Sequence, residues 1–487
     1  MKILLLNSPW INNKEEYCVK SGTRWAAIRK KCHSMPYYPY PYFLASATAV
    51  LKQAGFKAHV KDAIAEEINK EECLKYIEFL KPRVLLIEAF TPSINYDLEF
   101  MKEAKKRTGC YTVFSGIHAG ALPGEVLSHD FMDFVIAGNE MDYTLRELVA
   151  FLNEGRSDFE NIQGLAFKRN GSVKINQRRP PIENLDELPF PERDELPMHK
   201  YNDPFSEHAV TAKITVSRGC PFRCSFCIEP FVFNGSYKHR SLDLVIEEIK
   251  LVQDRYGVKE IFFDDSIFMT SWAVAVSQAI IKSGIRIGWS CWVDWNISYE
   301  NLALMRKSGC IGVKFGVESS DAAILGAIHK PVKIDRIKLL IENCKKLGLL
   351  RHASFMFGLP GETEETLKET IDFAFSLDLT SSQLAIATPL PGTPFYKMAK
   401  ENGWLTSEDW NDYEPHYHAI VEYPDCSNRT ILKAMELARA KKVKQLLKNP
   451  LVACGYLFKL CRSQGIKKFI MDIFLKGAFV LKGLFTK

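Results

Sequence analysis

The sequence predicts an α/β protein: a doubly wound, Rossmann-like parallel sheet, then a partial (β/α)6 TIM barrel, then a helical extension. Three observations predict it. Short apolar runs alternate with amphipathic stretches through the first 155 residues. The alternation resumes near residue 213 and repeats six times, short of the eight repeats of a closed barrel. After residue 400 the chain turns helical and basic.

A chain of 487 residues is too long for one ordinary core. The expected divisions are 1–155, a linker over 156–207, the barrel over 208–400 and the extension over 401–487. In the first unit strands are expected at 2–6, 58–62, 83–89, 111–115 and 133–137, with helices at 42–54, 69–80, 95–108 and 140–153. Ligands of such sheets sit beyond the carboxyl ends of the strands, which singles out the loops NSPW, AFTP, SGIHAG and AGNE. The linker, with NLDELPFPERDELP, is rich in Pro and acids and has no usable period, so it reads as extended. Barrel strands are expected at 213–217, 260–264, 286–290, 312–317, 353–357 and 383–387. Between the first two, SLDLVIEEIKLVQDRYG places Leu242, Val245, Ile246, Ile249 and Val252 on one helical face and stops at Gly257.

Composition, 47% apolar and 25% charged, is that of a folded globular chain. The start MKILLLNSPW is too short in its apolar run for a signal peptide, and no run of 18 uncharged apolar residues occurs. The 13 Cys are odd in number and mostly single within apolar segments, as at Cys73, Cys110 and Cys344. That argues against a disulfide framework and for a reducing cytoplasm. Residues 433–487 carry 13 Lys and Arg against Glu436 and Asp472, a local +11; the whole chain is +6, so the preceding residues total −5.

SRGCPFRCSFC, residues 217–227, holds Cys220, Cys224 and Cys227. Cys224 and Cys227 alone suit a redox dithiol or half of a zinc site. A zinc site would need a second pair of ligands, for which His239 and Cys291 are single candidates, and a dithiol has no use for Cys220. An iron–sulfur cluster takes Cys thiolates and can leave one iron without a protein ligand.

CxxxCxxC after the first strand of a six-stranded partial barrel resembles the radical S-adenosylmethionine (SAM) superfamily. The resemblance implies that Cys220, Cys224 and Cys227 hold a [4Fe–4S] cluster whose fourth iron binds SAM, and that reductive cleavage of SAM yields a 5′-deoxyadenosyl radical. Phe226 matches the aromatic placed against the adenine. FFDDSIF, FGVESS, FGLPGET and TPLPGTPFY resemble one large branch of the superfamily. They imply SAM contacts at Asp264, Asp265, Glu318, Ser319 and Gly358. Adjacent aspartates also read as helix N-caps. Whether His329, Lys330 or Arg351 reaches the SAM carboxylate stays open.

VFSGIHAGALPGEVLSHDFMDFVIAGNEMDYTLREL resembles the cobalamin-binding half of the B12-dependent radical SAM proteins. It departs at Ser115, where Gly is usual, and at Gly138-Asn139-Glu140, where Gly-Glu-Gly is usual. The resemblance implies cobalamin contacts at Asn7, Thr91, Ser115, Gly116, His118, Gly138, Asn139 and Glu140. His118 also reads as a loop residue bonded to backbone. No DxHxxG motif is present, so cobalt is expected without a His from below, which favours radical methyl transfer. Residues 21–45, SGTRWAAIRKKCHSMPYYPYPYFLA, read as a solvated loop, or else as a cover over the upper corrin face or a substrate contact.

In GIKKFIMDIFLKGAFVLKGLF apolar residues recur at 466, 469, 470, 473, 474, 477, 480, 481, 484 and 485, beside Lys467, Lys468, Lys476 and Lys482. This amphipathic helix either docks on the barrel or lies peripherally on a membrane, where each Lys is worth about 1 kcal/mol near an anionic leaflet. Nucleic acid is not expected, because the stretch lacks paired aromatics for stacking.

The resemblance implies an enzyme using a [4Fe–4S] cluster, SAM and cobalamin. Its expected reaction is methylation of an unactivated carbon through methylcobalamin. The expected partners are a small-molecule or lipid-linked substrate and an external low-potential donor of the flavodoxin or ferredoxin type. The alternatives are a radical cyclase or rearrangement enzyme that binds cobalamin without methyl transfer, and a non-catalytic iron–sulfur or zinc protein. A tRNA methylthiotransferase would carry a second cysteine triplet in the first unit, and none is present. The expected location is cytoplasmic, at a membrane only if the tail binds one.

Overall fold

KILLLN is buried from Ile3 onward, so this first strand, β1 (Lys2–Asn7), must be covered on both faces. The computed structural model describes residues 1–10, 18–21, 25–28, 38–138, 141–201, 203, 206 and 211–448. A small antiparallel hairpin of β2 (Cys18–Ser21) and β3 (Trp25–Ile28) stands apart from the sheet. The chain then alternates through α1 (Tyr42–Gln53), β4 (Lys57–Asp62), α2 (Lys70–Leu80), β5 (Val84–Glu88), α3 (Ile94–Thr108) and β6 (Tyr111–Ser115). Two short helices, α4 (Ile117–Ala121) and α5 (Pro123–Leu127), precede β7 (Phe134–Ile136) and α6 (Met141–Glu154). The strands lie parallel in the order β4-β1-β5-β6-β7. The order reverses between β1 and β5, where doubly wound sheets open a crevice.

Two expectations fail in this half. The stretch over 156–207 is not all extended linker: β8 (Leu165–Arg169) pairs antiparallel with β7, β9 (Ser172–Ile175) pairs antiparallel with β8, and together they bring the sheet to seven strands. Asn170 and Gly171, both at positive φ, make the two-residue turn; the Pro-rich run that follows hides this local signal. Residues 185–196 pack down through Leu185, Leu188 and Leu196, and Arg193 forms a buried ion pair with Glu248 at 2.7 Å. Nor are residues 38–43 a solvated loop. Tyr38, Tyr40, Tyr42 and Phe43 are buried, with the Tyr40 ring edge-on to Tyr201 at 5.4 Å, because four aromatic rings gain more from burial than the chain loses by ordering.

The second unit begins with β10 (Thr211–Ile214). The strand expected at 213–217 breaks in two, because Asp265 Oδ1 accepts hydrogen bonds from the N–H groups of Val216 (2.9 Å) and Ser217 (3.1 Å) and turns the chain aside. It continues as β11 (Ser217–Gly219), α7 (Glu229–Phe233) and β12 (Tyr237–His239), the last antiparallel to β11. The repeats then run α8 (Leu242–Tyr256), β13 (Glu260–Phe268), α9 (Thr270–Ser283), β14 (Gly288–Val293), α10 (Tyr299–Lys307) and β15 (Cys310–Glu318). After α11 (Ala322–Ala327) and α12 (Ile334–Lys346) come β16 (Leu350–Phe357), α13 (Glu364–Ser376) and β17 (Ser381–Ile386). The curled sheet β10-β13-β14-β15-β16-β17 is parallel throughout, the expected open barrel.

After α14 (Pro394–Glu401) the helical expectation holds only in part. Residues 404–427 form no long helix: Gly403, Asn411, Pro415 and Pro424 disfavour one. The chain instead turns through Trp410–Asp412 and two isolated bridges before α15 (Asn428–Lys448). Helix α15 buries Ile431, Met435 and Ala438 against the barrel. The amphipathic stretch 465–487 lies outside the described residues. Among the described residues no helix is long and apolar enough to cross a membrane.

Glu362 closes the loop after β16. Its Oε2 accepts from the N–H of Leu359 (3.0 Å) and of Gly358, and burial pushes its carboxyl up from 4.5 to about 8. The folded state therefore binds a proton that the unfolded chain releases between those values. The stabilisation is full below about pH 4.5 and is lost as pH rises through about 8. Glu362→Gln should remove this dependence and gain on the order of 5 kcal/mol over wild type at pH 8.5 relative to pH 4.5. Urea unfolding at the two pH values checks it; an unchanged difference between variant and wild type would refute the assignment.

Candidate active site

The cysteine loop leaves β11 through Gly219, at φ +89°, where a side chain would strike the Ser236 carbonyl, so only glycine fits the turn. Its middle is pinned by backbone hydrogen bonds from Ser225 N–H to the Ile328 carbonyl (2.9 Å) and from Phe395 N–H to the Ser225 carbonyl (3.0 Å). Cys220, Cys224 and Cys227 are free thiols, and all three line one cavity of about 300 Å³ together with Phe226. The cavity lies over the carboxyl ends of the barrel strands, where barrel enzymes place their chemistry.

Burial pushes the Cys220 thiol up to about 11, with Glu229 and Cys224 adding to it, and pushes Cys224 and Cys227 up as well. Three crowded, desolvated thiols become thiolates only beside a strong positive charge, which is what bound metal supplies. Among the described residues no three His, Cys, Asp or Glu side chains meet at single-ion distance; the thiols stand around the cavity. The residues proposed to complete a zinc site are engaged elsewhere. His239 stacks on Trp272 with centroids 4.0 Å apart, and Cys291 is fully buried in the barrel core. The donor set, three thiols on the wall of an open cavity, fits a cluster with one iron left to another ligand.

In the same cavity, Glu318 and Lys330 form an ion pair at 3.0 Å, and the Ser354 hydroxyl donates to Glu318 Oε2 at 3.2 Å. Glu318 is 5% exposed and holds φ +70°, beside a register shift in β15. A non-glycine residue in the left-handed region costs about 1–3 kcal/mol and persists where surroundings impose it, often at working sites. Gly316 makes room for the pair: a β-carbon there would meet Glu318 Oε1 and lie 2.7 Å from Lys330 Nζ.

The remaining wall comes from both units. Phe90, Thr91 and Pro92 after β5, and Ile117 after β6, face the cavity from the first sheet; Trp292 and Trp295 face it from the end of β14. Thr91 Oγ1 is buried with no hydrogen-bond partner among the described residues.

Of the residues singled out in the sequence, Cys220, Cys224, Cys227, Phe226, Glu318, Lys330 and Thr91 meet at this cavity. The others do not line it. Asp265 holds the β10–β11 break, and Asp264 pairs with Lys213 at 3.3 Å; β13 runs on past both to Phe268, and Ser266 and Ile267 reach the cavity in their place. Ser319 faces the Thr370 hydroxyl at 3.3 Å, and the Gly358 carbonyl accepts from Tyr423 at 2.8 Å. Asn7 donates to Asp62 Oδ1 at 2.8 Å, and Ser115 faces Met141 Sδ. Gly116 caps α4, its carbonyl accepting from Gly120 N–H at 2.9 Å, and the Gly138 N–H donates to Ile136. His118 is fully buried, edge-on to Trp410 at 4.9 Å, with Nε2 3.5 Å from Glu125 Oε1. Asn139 and Glu140 lie outside the described residues. Arg351 is held by the Asp378 carbonyl at 2.7 Å, which leaves Lys330 as the basic residue in the cavity.

Sequence reasoning missed Trp292, Trp295, Gln383 and Tyr413 in the lining. WSCWVDW at a strand end was the available signal for the tryptophans. Tyr413 had none, since it arrives from beyond the barrel.

Residues 214–374 match the family model of the radical SAM superfamily. The chain is 34% identical to an uncharacterized methyltransferase of Pyrococcus horikoshii over 72% of this chain and 77% of that one. Among solved structures it is similar in fold to the cobalamin-dependent SAM radical enzyme OxsB with aqua-cobalamin and SAM bound (TM-score 0.69, 14% identity, 99% of this chain and 74% of that one). It is also similar to the radical SAM methyltransferase TsrM from Kitasatospora setae with tryptophan and a SAM analogue bound (TM-score 0.63, 19% identity, 83% and 77%).

Proposed function

The chain belongs to the radical SAM enzymes in which a B12-binding-type domain precedes the barrel, and from that premise we propose that it is a cobalamin-dependent methyltransferase acting on an unactivated carbon. The observation that carries this reading is the single cavity shared by three free thiols, the Glu318–Lys330 pair and loops of the first sheet. When bound, a [4Fe–4S] cluster supplies the electron that splits SAM, and cobalamin carries the methyl group.

Each residue of the cavity has a part in this scheme. Cys220, Cys224 and Cys227 would hold the cluster through three thiolates, which would leave one iron free for SAM. Lys330 offers a cation to the SAM carboxylate, Glu318 an acceptor to the ammonium or ribose hydroxyls, and Phe226 a face to the adenine. Thr91 and Ile117 present the first domain to cobalamin. Trp292 and Trp295, with Phe90, keep water from the reacting carbon and suit an uncharged, apolar body of substrate. The electron enters from an external low-potential donor of the flavodoxin or ferredoxin class.

Electron paramagnetic resonance of the anaerobically reconstituted protein with cobalamin tests the reading. A reduced-cluster signal that SAM shifts, with a cobalt(II) signal free of nitrogen splitting, is expected. A cluster without bound cobalt would remove methyl transfer, and zinc in place of iron would end the radical reading altogether.

A further inference from the structure

Arg218 stands two residues before Cys220 and is 3% exposed. Its guanidinium crosses the joint between the two units. Nη1 donates to Asp142 Oδ2 at 2.8 Å, Nη2 donates to Ser46 Oγ at 3.0 Å, and the Ser46 hydroxyl donates to Asp142 Oδ1 at 2.6 Å. The rings of Tyr42 and Phe43 lie 5.4 and 5.5 Å from the guanidinium carbon. Asp142 sits in the first turn of α6, where the helix dipole favours a carboxylate, and Ser46 sits in α1. A strand of the barrel unit is thus fastened, immediately before the cysteine loop, to two helices of the first domain.

Burying two charges is costly, and such a pair is weak evidence for stability alone, since apolar residues of similar volume often do as well. What it supplies is geometry: a planar fork meets a carboxylate and a hydroxyl in one orientation. The strand it holds ends in Gly219, which has no side chain to fix its own direction.

We propose that Arg218 is a positioning residue for the cluster: through Asp142 and Ser46 it sets the cysteine loop against the first domain, so that the three thiols stand at ligating geometry only when the two units are docked. This rests on the reading of the three thiols as cluster ligands.

The test compares the reconstituted full-length wild type with Arg218→Lys and with the double variant Arg218→Met, Asp142→Leu. Lysine keeps the charge but cannot span Asp142 and Ser46 together. The double variant removes the charges without leaving one of them buried alone. Both are expected to melt close to wild type, to release iron to a chelator about 10-fold faster or more, as metal sites do on losing a ligand-orienting partner, and to show altered cluster g-values. Wild-type iron release and g-values in Arg218→Lys would overturn the proposal, whether or not the double variant folds. Wild-type protein that takes up no iron would instead sink the cluster reading itself.

Discussion

Cys224→Ala protein, purified and reconstituted without oxygen, is expected to hold no stable [4Fe–4S] cluster and to form 5′-deoxyadenosine from SAM at least about a thousandfold more slowly than wild type. The loop carries three thiols and, among the described residues, the cavity wall offers no fourth, so losing one leaves two ligands for a group that needs three. The effect should be the same in kind for Cys220→Ala and Cys227→Ala. Cys291→Ala is the control: that thiol is buried in β14 within the barrel core, so its removal should cost about 1–2 kcal/mol of stability as a small cavity and leave the iron content unchanged. Iron per chain and the 400-nm region of the absorption spectrum decide between them. A Cys224→Ala protein with full iron content would refute the assignment of the loop.

Lys330→Met is expected to be the second largest change. It removes one half of a pair 3.0 Å long and leaves Glu318 buried beside Ser354 on a backbone already at positive φ. Breaking a buried pair from one side costs about 3–5 kcal/mol, because the remaining charge has no counter-ion. The variant should therefore unfold at markedly lower urea than wild type, and the cluster-loaded protein should bind SAM at least about tenfold more weakly, the equivalent of one charge-assisted hydrogen bond. Adding Glu318→Gln to Lys330→Met removes the orphaned charge and should recover most of the stability while leaving SAM binding weak. Recovery of stability without recovery of binding separates the ligand role from the structural one. If Lys330→Met unfolds like wild type, the Glu318–Lys330 pair is not a strained, buried element of the fold.

Much of the architecture was legible because it rests on local chemistry. A buried parallel strand such as LLLN or VLLIE is a short apolar run, and a helix such as LDLVIEEIKLVQDRY shows its period within four turns. Both sheets appear where those patterns predict. The hairpin at Asn170-Gly171 had its signal too, but two short strands, one of them exposed on every residue, carry little apolar pattern. The wrapped segment 404–427 has no period, because its contacts are made by single side chains such as Trp410, whose Nε1 donates to Glu125 at 2.8 Å across 285 residues of sequence.

The site divides in the same way. Cysteine spacing is a property of one loop, and it survives intact from sequence to cavity. The aspartates within β13 and the histidine after β6 belong to equally suggestive local motifs, yet they turn to partners in the joint between strands and in the C-terminal segment. A motif states which residue follows a strand; it does not state whether the strand's last turn faces the mouth or the wall.

The sequence by itself determined the two alternating units and a three-thiol loop at a barrel's first strand, since periodicity and spacing act within a window of a few residues. Only the tertiary structure decided that Thr91, Trp292, Lys330 and Tyr413 share one cavity with those thiols, that Asp264, Asp265 and His118 do not line it, and that Arg218 meets Asp142. Arg218 and Asp142 stand 76 positions apart in the chain. The energies of these contacts come from burial and from pairing charges out of water, and both are set by the path of the whole chain.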